Sequence, residues 1–369
     1  MAELKKHPLI ILFSLFILGF SVLDIVTPIR DFSTVENRVL AKRPEFTVEE
    51  LFNGNYTSKF ETYVNDQFVG RDTWITMKSI GEQGLAKIIN NNIVYGDDGY
   101  LFDLTLATDA VRLEKNIRYL NEFLEMYKDE NVFVTLIPNS TTVLDNKLPT
   151  GFPGVNQTSL REFILKDVTK EQQIDLFSPL INKQDEYIYY KTDHHWTTRG
   201  AYYAYEALAD KLGYEAKPLD TFKPVEVENF FGTYYSKVKN PFVKPDTLTY
   251  YEIDNVNMTI LDKTYQTLYD MKQFEVYDKY AAYLNGNNGL TRIETGVENG
   301  RKILILKDSY TNSLAPFLTQ HFETIDLIDL RHTNISLKQV IGSEAYDDIL
   351  FMYSVENFMN ETNIAKLRY

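Results

Sequence analysis

The sequence predicts an α/β fold built on a central, mostly parallel sheet, preceded by a membrane-spanning segment. After residue 105, apolar segments at helical spacing alternate with short, continuous apolar strands, as in parallel sheets that are covered on both faces. Near the N-terminus, an uncharged apolar run is long enough to cross a bilayer. We therefore expect a cytoplasmic segment at 1–7, an anchor at 8–27, an extracytoplasmic helical lead-in at 28–105 and an α/β domain at 106–369.

The anchor follows Lys5 and Lys6 and extends to Val26. About 18 residues at a rise of about 1.5 Å give roughly 27 Å, which just spans the hydrocarbon core. Because positive charge precedes the run, we expect a single pass with the N-terminus in the cytoplasm and the rest outside. The alternative is a signal peptide cleaved after the small residues Gly19 and Ser21, which would give a secreted protein.

The composition excludes several classes of chemistry. The 369 residues include 38 Lys and Arg against 52 Asp and Glu, a net charge of −14, which argues against nucleic acid as a partner. The absence of cysteine excludes disulfides, a cysteine nucleophile and thiolate metal sites. The sequence also lacks a glycine-rich phosphate loop, and we expect no cofactor. Five histidines remain for imidazole chemistry.

The lead-in reads as short helices and turns. We expect one helix from Val48 to Val64 and another after Arg71. The apolar Ile93-Val94-Tyr95, the turn Gly96-Asp97-Asp98-Gly99 and the apolar Tyr100-Leu101-Phe102 together predict a β-hairpin.

The elements of the α/β domain follow from apolar spacing. We expect helices near 113–127, 160–168, 201–212 and 311–320, and strands at 132–137, 174–176, 187–190, 302–306, 324–330 and 349–353. The tyrosine-rich segment 215–295 interrupts this rhythm and predicts an aromatic-rich β insertion over one end of the sheet. Its tyrosines serve either as ordinary packing or as a stacking surface for sugar rings.

A candidate acid-base pair lies in Lys191-Thr192-Asp193-His194-His195-Trp196-Thr197, directly before a helix. In an extended segment, residues two apart point the same way, so Asp193 can orient His195 and stabilise its imidazolium. His194 would then face the other side. We expect this loop at the carboxyl end of the strand 187–190, where open α/β sheets bind their ligands.

The best candidate nucleophile is Ser309, which comes 114 residues after His195. The apolar strand 302–306 leads into Asp308-Ser309 and then into a helix. A serine at such a turn is exposed at the sheet edge, and its own N–H can face an oxyanion. Taken alone, Asp-Ser after a strand is more often an ordinary turn and N-cap.

Metal binding is the alternative role for Asp193, His194 and His195. Adjacent histidines rarely ligate one ion together, and His321 and His332 lack the i, i+4 spacing of a zinc helix. We therefore expect no metal.

The sequence Asp193-His194-His195-Trp196 resembles the motif after which the DHHW family of bacterial cell-surface proteins is named. The resemblance covers most of the exported chain, through Glu36-Asn37-Arg38, Asp66 to Arg71, the hairpin, Phe231-Gly232-Thr233 and Lys307-Asp308-Ser309-Tyr310. The family looks like a branch of the SGNH-type, three-layer fold of the alginate O-acetyltransferase proteins, in which the Asp-His motif precedes the serine.

The resemblance implies Ser309 as nucleophile, His195 as general base and acid, and Asp193 as its orienting residue. It also implies a membrane-bound O-acyltransferase partner that supplies acyl groups. For the oxyanion hole and the support of the site we nominate Asn139, His194, Trp196 and Tyr310. Asn139 follows the strand 132–137, and its alternative role is that of a turn residue.

The leading hypothesis is O-acyl transfer, with acetyl as the expected group, onto a surface polysaccharide. The alternatives are an esterase that uses the same residues, and a glycan-binding or assembly protein without activity. Because the net charge would repel a strongly anionic polymer, we expect a neutral or zwitterionic acceptor unless the insertion carries a local basic groove. The catalytic hypothesis requires Ser309 Oγ to lie within about 3 to 4 Å of His195.

Overall fold

The structure is a computed structural model that describes residues 7–33 and 38–369. It contains two units, one formed by Met1–Lys87 with Ser236–Phe242 and the other by Ile88–Tyr235 with Val243–Tyr369. The predicted domain boundary at residue 105 stays a prediction. Lys5 and Lys6, on which the expected topology depends, and Glu36-Asn37 lie outside the described residues.

Helices dominate the smaller unit. Its elements are α1 (Pro8–Val26), β1 (Phe32–Ser33), β2 (Arg38–Val39), α2 (Val48–Phe52), α3 (Asn55–Gln67) and α4 (Arg71–Gly84). Among the described residues, α1 is the one helix that is long and apolar enough to cross a membrane. The single helix predicted from Val48 to Val64 is wrong, because Gly54 adopts a left-handed conformation (φ 80°) and separates α2 from α3.

Arg38 and Asp66, which the family resemblance singled out, form an ion pair in this unit. The guanidinium of Arg38 donates to both carboxylate oxygens of Asp66, and the N–H of Ala41 donates to Oδ2 at 2.8 Å. The hydrogen bond from Arg38 lowers the pKa of Asp66 to about 2. This ion pair joins the N-terminal strands to the end of α3.

The larger unit begins with a small sheet that contains the predicted hairpin. Its strands are β3 (Ile89–Asn90), β4 (Ile93–Tyr95) and β5 (Leu101–Asp103), all antiparallel. Gly99 has φ 80°, which suits a glycine in the tight connection between β4 and β5.

Eight strands form the central sheet of the larger unit. The elements that follow the hairpin, in chain order, are α5 (Ala110–Met126), β6 (Val132–Ile137), α6 (Ser140–Val143), α7 (Gln157–Ile164), β7 (Gln173–Ile174), α8 (Phe177–Ile181), α9 (Thr198–Leu212), β8 (Pro224–Phe230), α10 (Thr233–Val238), β9 (Asp246–Tyr251), β10 (Val256–Ile260), β11 (Lys263–Tyr265), β12 (Leu290–Thr295), β13 (Lys302–Lys307), α11 (Thr311–Leu318), β14 (Thr324–Asp329), α12 (Leu337–Ser343), β15 (Asp348–Ser354) and α13 (Val355–Asn360). The sheet order is β11-β10-β12-β14-β13-β15-β6-β7.

The sheet is mostly parallel, as predicted. Pairing is parallel from β14 through β13, β15 and β6 to β7, and antiparallel where β12, β10 and β11 extend the edge beside β14. All six residues of β14 and all seven of β15 are buried. A strand with no exposed position must be covered on both faces, which confirms the prediction from its continuous apolar pattern.

Two hydrophobic cores lie on the two faces of this sheet. Ile303 and Ile305 of β13 belong to the core that contains α9 and α11 residues such as Tyr205 and Phe317. The alternate residues Leu304 and Leu306 belong to the core that contains residues of α5, α12 and α13. Because successive side chains of a strand point to opposite faces, this division gives three layers, helices, sheet and helices.

Two predictions about elements are wrong. Residues 187–190 form no strand of the sheet; Tyr189 makes a single antiparallel bridge with Trp196, within a tight loop. The segment 215–295 does not simply lie over one end of the sheet, because β10, β11 and β12 join it as edge strands. In both cases, tertiary contacts that local propensity does not encode decide whether a segment joins the sheet and which strand it pairs with.

Candidate active site

The loop that carries Asp193 and His195 is held by a buried carboxylate from the insertion. Asp246, at the start of β9, accepts hydrogen bonds from the N–H groups of Lys191 and Thr192 at 2.9 and 2.8 Å and from Thr192 Oγ1 at 2.6 Å. The loop ends at Thr197, whose side chain caps the N-terminus of α9 by accepting from Gly200 N. The loop is therefore fixed at both ends.

Asp193 and His195 point the same way, as predicted, and both are buried. Oδ1 of Asp193 accepts from His195 Nδ1 at 2.6 Å and from the His195 N–H at 3.0 Å, while Oδ2 accepts from Thr233 N at 2.8 Å. Since Nδ1 faces the carboxylate, it carries the ring proton of neutral His195, and the lone pair lies on Nε2. Asp193 thus fixes both the tautomer and the orientation of His195.

Ser309 lies in the turn between the carboxyl end of β13 and α11, and it is buried, not exposed as predicted. Its Oγ is 2.7 Å from His195 Nε2, although the two residues are 114 positions apart in the sequence. Asp308 fixes this turn by accepting from Tyr310 N, Ser354 N and Asn357 Nδ2 at 3.1, 2.8 and 2.8 Å. The described chain therefore contains a continuous hydrogen-bonded series from Asp193 through His195 to Ser309.

His194 does not face the opposite side, as the extended segment predicted. Its ring lies against that of His195, with centroids 3.8 Å apart and an interplanar angle of 37°, and its Nδ1 is 2.8 Å from Thr233 Oγ1. The segment turns instead of running straight, because Tyr190 N donates to the carbonyl oxygen of His195 across the loop. His194 is the more exposed of the two histidines, with 31% of its side-chain surface accessible.

Trp196 and Tyr310, nominated as supporting residues, join the loop to the turn at Ser309. Trp196 Nε1 donates to Tyr310 O and to Ser313 Oγ, both at 3.0 Å. The Tyr310 hydroxyl donates in return to the carbonyl oxygen of His194. Both side chains are buried, so these hydrogen bonds are shielded from water and tie the two segments together.

Asn139 lies at the carboxyl end of β6, with β15 between β6 and the strand that precedes Ser309. Its Oδ1 accepts from Thr141 Oγ1 at 2.6 Å, and its backbone N–H donates to Gln157 Oε1 at 3.0 Å. These are the contacts of a turn residue, the alternative noted for Asn139. Its proposed contribution to an oxyanion hole stays a prediction.

The pKa values of His195 and Asp193 favour a neutral imidazole beside an ionised carboxylate. Burial and the charge of His194 lower the pKa of His195 to about 4, against the opposing effect of Asp193. Burial raises the pKa of Asp193, but the neighbouring histidines and the hydrogen bonds outweigh it, so this pKa is lowered. At neutral pH, His195 is therefore ready to accept a proton on Nε2.

Asp193, His194 and His195 also qualify as a group of metal-ligand types, with potential ligand atoms within 4.8 Å of one another. A metal bound between Asp193 and His195 would replace their 2.6 Å hydrogen bond, and His194 Nδ1 is already engaged with Thr233. The donor atoms thus fit a hydrogen-bonded relay better than a metal centre.

Sequence reasoning missed three contributors to the site, all in the insertion. Asp246 holds the loop, Thr233 holds Asp193, and Tyr280 stacks on the ring of His195 at 3.7 Å with an interplanar angle of 9°. The Tyr280 hydroxyl also donates to the carbonyl oxygen of Ser309 at 3.1 Å. Phe231-Gly232-Thr233 had been noted as a motif, but only the fold shows that it faces Asp193.

The tyrosines of the insertion contribute mainly to packing. Most are buried, among them Tyr234, Tyr250, Tyr251, Tyr269, Tyr280 and Tyr283. This confirms the packing interpretation for these residues, while a sugar-stacking role for Tyr235, Tyr265 and Tyr277, which are half-buried, stays a prediction.

The three-layer α/β fold, with this Asp-His-Ser arrangement at the carboxyl end of β13, is that of an SGNH-like protein. Within that class, the sequence profile of the family described as DHHW protein matches residues 131–328. This is more than half of the chain, and the chain therefore belongs to the DHHW family, as the motif had indicated.

Two solved structures share the fold. A DHHW family protein from Eubacterium siraeum is 27% identical, with a TM-score of 0.67 over 76% of this chain and 96% of that one. PatB1 from Bacillus cereus, solved with a sulfonyl adduct, is 21% identical, with a TM-score of 0.62 over 75% of this chain and 100% of that one. At the latter identity, the likeness concerns the fold alone.

A curated relative is similar over a shorter segment. The alginate biosynthesis protein AlgX from Pseudomonas aeruginosa is 27% identical over an alignment of 160 residues. The alignment covers 39% of this chain and 34% of that protein. The matched segment thus spans about a third of the length of AlgX.

Proposed function

We propose that this protein is an extracytoplasmic O-acyltransferase that transfers an acyl group, acetyl being the expected one, through Ser309 to a hydroxyl group of a surface polysaccharide. The observation that carries the proposal is the hydrogen-bonded series Asp193 Oδ1, His195 Nδ1, His195 Nε2 and Ser309 Oγ, with donor-acceptor distances of 2.6 and 2.7 Å. This geometry is that of a serine nucleophile with its general base and orienting carboxylate.

In the first half-reaction, Ser309 Oγ attacks the carbonyl carbon of the acyl donor while His195 Nε2 takes its proton. The bond to the leaving group then breaks, and the imidazolium returns the proton to that group, which leaves an acyl ester on Ser309. In the second half-reaction, His195 takes the proton of a sugar hydroxyl, whose oxygen attacks the ester. Ser309 Oγ leaves and recovers the proton, and the acyl group is now on the sugar.

The charge that develops on the carbonyl oxygen needs hydrogen-bond donors. The N–H of Ser309, in the turn that precedes α11, is our first candidate, because the N–H of Tyr310 is engaged by Asp308. The side-chain amide of Asn139 is the second, since Thr141 binds its Oδ1 and thereby restricts the orientation of its NH₂ group.

The location and the partners are part of the same proposal. The helix α1 anchors the chain with its N-terminus in the cytoplasm, and a membrane-bound O-acyltransferase supplies acyl groups from across the membrane. The name of AlgX, an alginate biosynthesis protein, supports a polysaccharide as the acceptor, and the −14 net charge favours a neutral or zwitterionic one.

The test is acyl-enzyme trapping followed by product analysis. We would incubate the full-length protein with p-nitrophenyl acetate, measure the acetyl adduct by intact-protein mass spectrometry, and then add neutral oligosaccharides. We expect an adduct on the wild type and on Ser159→Ala, an exposed serine in α7, and none on Ser309→Ala. Acetylated oligosaccharide should then form.

Three other outcomes would contradict part of this proposal. An equal adduct on Ser309→Ala would eliminate Ser309 as nucleophile. Release of free acetate alone, with every oligosaccharide tried, would indicate an esterase that uses water as acceptor. Oligosaccharide binding without any adduct would indicate a protein that keeps the fold but has no activity.

A further inference from the structure

The connection between α3 and α4 packs against the outer part of the helix α1. Phe68 lies in the segment that connects α3 and α4. Its ring is nearly parallel to that of Phe20 in α1, with ring centroids 6.1 Å apart and an interplanar angle of 6°. Trp74, in the first turn of α4, is 5.6 Å from the same ring. The N–H of Val69 donates to Asp24 Oδ1 at 3.0 Å, which satisfies a carboxylate near the end of the apolar helix.

These contacts fix a depth along α1. Phe20 precedes Val26, the last residue of α1, by six positions. At a rise of 1.5 Å per residue, the rings of Phe68 and Trp74 therefore lie about 9 Å inside the end of the apolar helix. When α1 just spans the hydrocarbon core, this level lies among the upper acyl chains, within the about 5–10 Å to which an interfacial apolar face is buried below the head groups.

The outward face of α4 has the polarity expected for contact with lipid. Trp74, Met77 and Ile80 expose 41%, 57% and 40% of their surfaces. The acidic residues of α4 are instead paired with other parts of the unit: Asp72 with Arg30 and Lys239, and Glu82 with Lys87. A water-exposed helix normally shows the reverse arrangement, with apolar residues packed inward.

Lys78 is also exposed on α4 and does not oppose this interpretation. A lysine beside an interfacial apolar face extends its four-carbon chain along that face and keeps its ammonium group in the head-group layer. Large apolar patches on soluble proteins usually mark binding surfaces. Here the continuity of the patch with α1 identifies the partner.

We propose that Phe68 and the α4 face formed by Trp74, Met77 and Ile80 lie in the interfacial region of the outer leaflet of the bilayer that α1 enters. The partner is the glycerol and upper acyl-chain region of phospholipid. The chain is then held to the membrane by a helix that crosses it and by a second, laterally packed surface, which restricts rotation of the unit about α1.

The sequence offers a direct test, because it contains two tryptophans. Trp196 is fully buried in the larger unit, whereas Trp74 lies on the proposed surface. We would place the full-length protein in phosphatidylcholine nanodiscs made with plain lipid or with lipid brominated on the upper acyl chain. We expect the bromolipid to quench a large part of the tryptophan emission of the wild type and almost none in Trp74→Phe, with unchanged circular dichroism.

A second variant guards against a local effect of the substitution. In the Trp74→Phe background, Ile80→Trp should restore quenching by bromolipid, because Ile80 shares the proposed surface. Equal emission in plain and brominated lipid for the wild type would overturn the proposal. So would Trp74 emission that resists both bromolipid and aqueous iodide, since a second protein copy would then cover the face.

Discussion

His195 is restrained both in the plane of its ring and on its faces. Asp193 and Ser309 bind its two nitrogens, the ring of Tyr280 stacks on it at 3.7 Å, and the ring of His194, tilted by 37°, has its centroid 3.8 Å away. Both rings therefore pack closely against the imidazole. The base is thereby preorganised, and its remaining freedom is small.

Because the pKa of His195 is lowered, we expect the activity to persist at acidic pH. Only neutral His195 can take the proton of Ser309, so kcat/KM should fall as pH drops through the His195 pKa, at about pH 4. In His194→Gln, the electrostatic effect of His194, which lowers the pKa of His195, is removed, and the acid limb should move up toward the ordinary value of 6.5. The measurement is the pH dependence of kcat/KM for both proteins. An acid limb that moves to lower pH in the variant would contradict this electrostatic role of His194.

At this scale the sequence predicted the contacts of Asp193, His195 and Ser309 better than the orientations of the side chains around them. The spacing of Asp193 and His195 is local, so their mutual contact could be predicted, and the expected 3 to 4 Å from His195 to Ser309 compares with 2.7 Å in the structure. The direction of His194 depends on a hydrogen bond across the loop, and the stacking of Tyr280 depends on a residue 85 positions away in the chain. Neither leaves a local signal.

Among the elements, the insertion is the one that most directly shapes the site. Its β9 supplies Asp246 to the loop, the segment between β8 and α10 supplies Gly232, α10 begins with Thr233, and a short helical turn supplies Tyr280. The insertion therefore supports the loop that carries Asp193 and His195, and we expect substitutions in it to alter the rate of acyl transfer although they change neither Ser309 nor His195.

Tyr280 provides the sharpest test of this support. In Tyr280→Leu the stacked ring is lost and water can reach His195, so we expect kcat to fall about tenfold or more with little change in KM, and the acid limb to move to higher pH. Tyr280→Phe keeps the ring and should recover most of the rate. The matched control is Tyr269→Leu, since Tyr269 is also buried and donates to a backbone carbonyl, that of Tyr251, away from the site. If both leucine variants shift the limb equally, Tyr280 has only a packing role.

Gly232 is required because its backbone lies against Asp193. A Cβ at this position would overlap the side chain of Asp193, whereas one at Gly342 in α12 would meet no neighbour. We expect Gly232→Ala to lower the free energy of unfolding by about 1–3 kcal/mol and to slow Ser309 acylation, and Gly342→Ala, in a helix with open space around it, to leave acylation unchanged without lowering the free energy of unfolding. Urea unfolding and adduct formation measure the two effects. Full acylation by Gly232→Ala would mean that Asp193 can move without losing its function.

Element types were predictable where the pattern was strong. The strands β6, β13 and β15 are continuous apolar runs, and α9 has both a Thr197 cap and a left-handed Gly213 after its last residue. The break at Gly54 and the false strand at 187–190 show the limit of this approach. A single glycine or a one-residue bridge changes the local structure without changing the apolar period.

For the molecule as a whole, the net charge of −14 predicts how acceptors of different charge respond to salt. With a neutral oligosaccharide, kcat/KM should be nearly independent of NaCl. With an anionic one, it should rise as salt screens the repulsion, because the Debye length falls to about 10 Å at 0.1 M. Initial rates at several ionic strengths give the answer. A rate that falls with salt for the anionic acceptor would indicate a local basic groove.

The architecture was predictable from the sequence only in part. Alternating helices and strands were enough to predict the parallel half of the sheet, because a parallel crossover brings the next strand back to the same sheet. The antiparallel extension by β12, β10 and β11 was not, since it depends on which edge the insertion meets after folding. The likeness to DHHW proteins, carried by short motifs, added the three-layer arrangement.

The place of β15 in the sheet has a consequence for biogenesis. It is the last strand in chain order, yet it lies between β13 and β6, and its end also supplies the N–H that holds Asp308 beside Ser309. A chain that is synthesised from its N-terminus cannot complete the middle of its sheet until residues 348–354 have emerged. We therefore expect nascent or C-terminally truncated chains to lack a reactive serine, so that acyl groups are not captured by unfinished protein.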